Sequence, residues 1–221
     1  MELNTESTPA NLSSRRELIK LAVAIGAGVA MGVGAASAQS SKPSASETPV
    51  SSPPAASRFK FQLGNLKPAV DTKGGSVAEC DKRNFPVLQG GEAAIFLLKL
   101  APGGLREPHW HPNCWELDHV VSGKVEMTII SPDGPVETFT LEAGDVAFVP
   151  QGYAHSILNV GDGEAVIPIV FNNSLPSDIG LSTMYAEFPT GQFTQTFGVD
   201  KSKMADIPRP PKTLFVVPKV P

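Results

Sequence analysis

Gly103-Gly104-Leu105-Arg106-Glu107-Pro108-His109-Trp110-His111-Pro112-Asn113-Cys114-Trp115-Glu116 is the stretch that decides how this 221-residue chain is read. On an extended strand residues two apart share a face, so His109 and His111 project together while Trp110 points away. Glu116 and, further along, His155 can reach the same point from neighbouring strands. Three neutral imidazoles and one carboxylate form a mixed nitrogen and oxygen donor set, suited to manganese, iron, zinc or copper, with coordination positions left open for a substrate. A lone histidine is usually a satisfied core residue, but three of the chain's four histidines share this pattern. Asp118 has the parity of Glu116 and reads either as an acceptor for a ligand imidazole or as a surface residue, whereas His119 faces the other way. Cys114 precedes Glu116 in a segment opened by Pro112-Asn113, where strand parity does not apply, and it is expected outside the donor set. Trp110 and Trp115 read as wall or contact aromatics.

Working outward, residues 92–100 form an apolar run stopped by Pro102-Gly103-Gly104, which predicts a buried strand. Val125, Met127 and Ile129 alternate with Lys124, Glu126 and Thr128. Ser131-Pro132-Asp133-Gly134 then turns the chain into Glu137-Thr138-Phe139-Thr140-Leu141, which makes a hairpin. Residues 146–149, 156–160 and 165–171 continue the series at the strand density of a small jelly-roll barrel. No helix is expected before Leu181, and short helices are predicted over 181–188 and 191–197. Gly123, Gly144 and Gly152 are expected at barrel corners where a side chain would clash.

Gly103, His109, His111, Glu116 and Gly123 satisfy the pattern G(X)5HXH(X)4E(X)6G, and Gly144, Pro150, Gly152, His155 and Asn159 satisfy G(X)5PXG(X)2H(X)3N. Met at every fixed position, these resemble the two signatures of the cupin superfamily. The resemblance implies an all-β fold, the cupin double-stranded β-helix or jelly-roll barrel, with one metal ion held by His109, His111, Glu116 and His155. More narrowly, residues 103–113 resemble the bacterial and fungal oxalate decarboxylases, whose signature reads like RELHWHPN. The likeness runs on through Gly123-Lys124, Ala143-Gly144-Asp145-Val146, Val149-Pro150, Val170-Phe171 and Ser177-Asp178-Ile179-Gly180-Leu181, about residues 59–200. It matches one cupin unit of the second-domain type.

That resemblance implies manganese (alternatively iron, copper or zinc), oxalate as substrate, and an arginine at position 106 that polarises the bound carboxylate. It also implies a one-electron oxidation that depends on dioxygen. Zinc has no redox chemistry and could not serve in this last role. Oxalate has no C–H bond and two repelling carboxylates, so loss of an electron weakens its C–C bond, and a cationic site favours the dianion. Protonation of what remains gives formate, as in a decarboxylase; a second oxidation gives carbon dioxide and hydrogen peroxide, as in an oxidase. The family's lid glutamate has no counterpart in Phe171-Asn172-Asn173-Ser174-Leu175-Pro176-Ser177-Asp178. Asp178 is the only acid there and becomes the candidate donor, with a helix N-cap before Ile179 as the other reading. Pro108 replaces the usual Leu, and Trp115 beside Glu116 also departs from the family's form, so the pocket wall is expected to differ. The competing functions are an iron or copper dioxygenase on another substrate and a non-catalytic metal- or ligand-binding cupin.

Ser14-Arg15-Arg16-Glu17-Leu18-Ile19-Lys20 resembles the twin-arginine export signal, followed by an uncharged Ala- and Gly-rich stretch that ends in Ala36-Ser37-Ala38. Residues 1–38 are therefore expected to engage the twin-arginine export machinery and be cut after Ala38, giving a periplasmic or extracellular protein; an uncut membrane anchor is the alternative. Residues 39–57, rich in Ser, Pro and Ala, read as a disordered linker, 58–200 as the cupin domain and 201–221 as a Pro-rich tail. The tail's Leu214-Phe215-Val216-Val217 is read as a clasp on another subunit of a homo-oligomer or as an arm on its own barrel. A net charge of −4 supplies no basic field for nucleic acid, while 41% apolar residues suffice for a core. Cys80 and Cys114 are expected to be free thiols.

Overall fold

The structure, a computed structural model, describes residues 57–205, 207, 209, 210 and 214–220. The expected export signal and the linker up to residue 56 lie outside the described residues. Twelve strands carry the fold: β1 (Val70–Thr72), β2 (Gly75–Cys80), β3 (Ala94–Leu100), β4 (Leu105–Trp110), β5 (Glu116–His119), β6 (Lys124–Ile130), β7 (Val136–Glu142), β8 (Val146–Val149), β9 (Ala154–Asn159), β10 (Ala165–Phe171), β11 (Ile179–Gly180) and β12 (Val216–Val217). Among the described residues three helices lie between the last two of these strands, α1 (Leu181–Glu187), α2 (Thr190–Phe197) and α3 (Lys201–Met204). Among the described residues before Leu181 only single 3-10 turns accompany the strands.

One sheet runs β1-β2-β3-β10-β5-β8 and the other β11-β4-β9-β6-β7, with β12 also on β4, and the recorded pairings are antiparallel. Alternation along β3 and β10 turns Ala94, Phe96, Leu98 and Leu100, and Ala165, Ile167, Ile169 and Phe171, into the space between the sheets. From the other sheet Val125, Met127 and Ile157 meet them, all but inaccessible to solvent. The expected hairpin is β6 and β7, paired from Lys124↔Glu142 to Ile130↔Val136. The strands over 146–149 and 165–171 fall where the sequence places them. The all-β jelly-roll expectation holds. β1 and β2 were not foreseen, because Val-Asp-Thr and Gly-Ser-Val-Ala-Glu-Cys alternate too weakly to show a period.

The signature Asn159 proves architectural. Buried beneath the Gly103 corner, it donates from Nδ2 to the carbonyls of Leu100 (2.8 Å) and Gly163 (2.8 Å) and accepts from the Gly161 amide (2.9 Å). Gly123 sits at φ +89°, and a Cβ there would lie 2.6 Å from the Cα of Ala165. At Gly144 the expected clash is absent: φ is +100° with open space around it, so backbone hand alone selects glycine. Gly123→Ala is therefore expected to destabilise the barrel by roughly 2–4 kcal/mol in urea unfolding, overpacking adding to the φ penalty, and Gly144→Ala by only about 1 kcal/mol.

The free edge of β4 is covered by two short segments of the same chain: β11 at its end (Ile179↔Trp110) and β12 at its start (Val216↔Arg106). The tail thus lies on its own barrel, the second of its two readings. Its first turn, α3, was not anticipated, since one helical turn has no period to read; Asp200 caps it by accepting from the Ser202 amide.

Candidate metal centre

β4 and β9 run side by side with His109 in register with His155. His111 lies one residue beyond β4, where the chain leaves for the opposite sheet, and Glu116 opens β5 between Val149 of β8 and Phe171 of β10. Of the two residues expected to reach the site from neighbouring strands, His155 does so from β9 beside β4, while the Glu116 carboxylate comes from the opposite sheet, across the barrel. All four side chains are buried, at 1–5% exposure, and one ligand atom from each lies within 4.8 Å of the others.

Each imidazole is oriented by a backbone carbonyl. Nδ1 of His109 meets the carbonyl of Glu107 (2.8 Å), Nδ1 of His111 that of Ser177 (2.8 Å) and Nδ1 of His155 that of Tyr153 (3.0 Å). A carbonyl only accepts, so Nδ1 carries the proton, and in the neutral ring Nε2 turns a lone pair inward. Nε2 of His111 and of His155 stand 2.9 and 3.0 Å from the Glu116 oxygens, yet these nitrogens and Glu116 Oε1 lack hydrogen-bond alignment. Buried lone pairs converging without hydrogens between them are what a cation satisfies, so the donor set fits a metal ion.

The cluster attracts positive charge, whether a metal's or a proton's. Burial opposes the charge of Glu116, but His155 and His111 hold it well below the usual carboxylate range. Burial also opposes charge on His111, but contact with Cys114 and the closeness of the Glu116 carboxylate outweigh it and push its pKa up to about 10, so a proton competes with a metal ion for its Nε2. His109 is held well below its ordinary value by burial and by the charges of Arg106 and His155. Asp118 does not accept from an imidazole, because all three Nδ1 groups are already taken by carbonyls. Instead it is buried beside Glu116, and burial together with that negative neighbour pushes its pKa well above the usual range, which favours the protonated acid.

A cavity of about 210 Å³ opens onto His109, His111 and Glu116. Val77, Phe96, Leu98, Ile157, Ile169 and Phe171 make its apolar wall, Arg106, Ser177 and Asp178 together with half-buried Glu79 and exposed Arg83 its polar side, and Phe215 lines it from the tail. Arg106 and His109 are three residues apart, which on a regular strand means opposite faces. An irregularity in the β4–β9 register between them brings both inward. Arg106 Nη2 donates to Asp178 Oδ2, Nη1 to the Phe215 carbonyl (3.3 Å), and the Phe215 ring lies 3.5 Å from the guanidinium carbon.

Asp178 thus belongs to the pocket and is not a helix N-cap; Gly180 holds that position on α1. Pro108 is exposed on the outer face, so its departure from Leu leaves the cavity wall untouched. Cys114 is buried beside His111 but outside the cluster of ligand atoms, and both cysteines are free. Trp110 and Trp115 stay out of the cavity; Trp115 packs on Phe148 of β8. His119 is exposed. Glu107 and Phe215 escaped the sequence reading. Glu107 is a buried carboxylate accepting from the Ser182 amide (2.8 Å), the Ser182 hydroxyl (2.8 Å) and the Phe215 amide (2.9 Å). Two consecutive charged residues within a strand were the available signal.

Residues 61–205 match the family model described as Cupin. The chain is similar to the oxalate decarboxylase OxdC of Bacillus subtilis, 36% identical over 59% of this chain and 33% of the enzyme. It is also similar to germin-like protein subfamily 2 member 2 of Arabidopsis thaliana, 33% identical over 66% of this chain and 69% of the relative. The solved structure of the Bacillus subtilis decarboxylase at pH 4.6 superposes with a TM-score of 0.66 at 31% identity, over 72% of this chain and 41% of that one. Another structure of that enzyme, used to assign the EPR parameters of its Mn(II) centres, superposes equally well. The chain thus spans between a third and two fifths of the decarboxylase. Over its barrel, its two signatures and the register that brings His109, His111, Glu116 and His155 together, the chain belongs to the cupin family.

Proposed function

We propose that the chain is an exported cupin enzyme that binds manganese through His109, His111, Glu116 and His155 and degrades oxalate, giving formate and carbon dioxide with dioxygen as co-catalyst. The observation that carries this reading is one buried guanidinium, Arg106, in the small cavity that opens onto three of the four donor residues, His109, His111 and Glu116. When bound, the metal supplies a positive charge for the substrate's carboxylate and a one-electron redox couple. The chain's own residues do the rest. Arg106 offers charged N–H donors to a carboxylate and, in a pocket walled by Phe96, Leu98, Ile169 and Phe171, acts where water is scarce and charge is poorly screened. Relatives named as oxalate decarboxylases support oxalate as the substrate.

Asp178 Oδ2, which accepts from Arg106 Nη2, is the carboxylate placed to carry a proton to the remaining fragment and direct the outcome to formate. To do so it must part from Arg106. That engagement is also the observation favouring the second reading, an oxalate oxidase: with Asp178 held by the guanidinium, no other acid in 171–178 can protonate the fragment, and peroxide follows. Export through the twin-arginine machinery to the periplasm or beyond, supported by residues 14–20 and 36–38, and assembly as a homo-oligomer complete the proposal. Protein purified with its native metal should consume oxalate under air, with formate as the product. Asp178→Ala should then lower formate yield by about 100-fold and leave peroxide as the residual product. Peroxide from the unaltered chain would establish the oxidase, and neither product would overturn both.

A further inference from the structure

The C-terminal arm lies beyond residues 61–205, the span shared with the family model, yet it supplies one wall of the pocket. Residues 214–217 are held at several points: the Leu214 amide on Ser182 Oγ (2.9 Å), the Phe215 amide on Glu107 Oε1 (2.9 Å), the Glu107 amide on the Phe215 carbonyl (3.1 Å) and Thr72 Oγ1 on the Val216 carbonyl (3.2 Å). Gly74 makes room for the arm, since a Cβ there would lie 2.3 Å from the Val217 carbonyl carbon. These anchors keep Phe215 at φ +64°, a backbone conformation a bulky residue adopts only when its surroundings impose it. The imposed conformation lays the ring over the Arg106 guanidinium at 3.5 Å.

The ring closes one face of Arg106, the buried one of the two arginines that line the cavity among the described residues, while Asp178 occupies one of its edges and the Phe215 carbonyl accepts from Nη1. An incoming carboxylate can then meet Arg106 only along its remaining edges, within about 210 Å³, smaller than the ~300–1,000 Å³ of pockets for drug-sized ligands. We infer that Phe215 is the specificity-determining residue of this pocket: held by the C-terminal arm over Arg106, it limits the bound diacid to the shortest. The inference rests on the proposed function, in that a metal and Arg106 together hold a dicarboxylate.

The test is calorimetric binding of oxalate, malonate and succinate to the full chain loaded with Mn2+, without oxygen so that no turnover intervenes. Each added methylene is expected to weaken binding to the wild type by at least about 10-fold. In Phe215→Ala and Phe215→Gly the malonate and succinate penalties should shrink by about 10-fold or more, with metal content unchanged. The glycine variant also relieves the positive φ, so it reports even where the alanine variant distorts the arm. Folded variants with one metal ion per chain and wild-type ratios across the three diacids would overturn the inference while leaving the oxalate reading intact. Failure of wild type and variants alike to bind any of the three would remove that reading, and the inference with it.

Discussion

Glu116→Gln is expected to cost the chain its metal. The change keeps shape and volume but removes the single formal anion from a donor set of three imidazoles. Loss of a partner one step removed from a metal typically costs ~10–100-fold in affinity, so loss of a direct anionic ligand should weaken Mn2+ binding by at least about 100-fold. Oxalate consumption should fall with it. The fold should survive: Glu116 is buried and the anion is stabilised by His155 and His111, so the amide removes a buried charge without opening a void. Circular dichroism and metal content measured on the same sample separate these effects. Asp118→Asn is the contrasting case. Burial and the Glu116 anion favour the protonated form of Asp118, so the isosteric amide should leave metal binding close to that of the wild type. A collapse in metal binding with Asp118→Asn would mean that the second carboxylate is ionised and shares the cation.

The second large effect is expected at Glu107, which joins β4, α1 and the C-terminal arm. Its carboxylate accepts from three donors, the Ser182 amide and hydroxyl and the Phe215 amide, and is itself only 5% exposed. Glu107→Ala would leave those donors without partners in a buried setting. At ~1–3 kcal/mol for each unsatisfied group, partly relieved by water entering the gap, a loss of roughly 3 kcal/mol is expected. For a domain of this size that lowers Tm by about 6–12 °C. The arm should loosen first, so protease cleavage after Leu214 should precede global unfolding. A Tm within about 2 °C of wild type would show that water replaces the carboxylate at little cost.

Much of the barrel and all four residues of the donor set were legible in the sequence, because both are written in local spacing. Alternation in residues 124–130 and 165–171 specifies which side chains face inward, and the two signatures bring His109, His111, Glu116 and His155 to notice together. What could not be read depends on contacts between residues far apart in the chain. Arg106 turns inward through a register irregularity opposite β9 that strand parity would deny. Asp178 has the look of a helix cap in sequence, but 72 residues separate it from the arginine it pairs with. Glu107 and Phe215 are 108 positions apart, and neither is unusual until the arm returns to β4. The tail's apolar patch had two readings for the same reason: its composition calls for burial without naming the surface that buries it.

One manganese ion, bound by these four residues, is proposed to let the chain degrade oxalate. The most direct test of this proposal is titration of Mn2+ into the metal-stripped full chain under air while oxalate consumption is followed. Consumption should rise in proportion to added metal, level off at one ion per chain, and stay flat throughout in Glu116→Gln. Undiminished oxalate at full occupancy, or consumption that proceeds equally without metal, would contradict it.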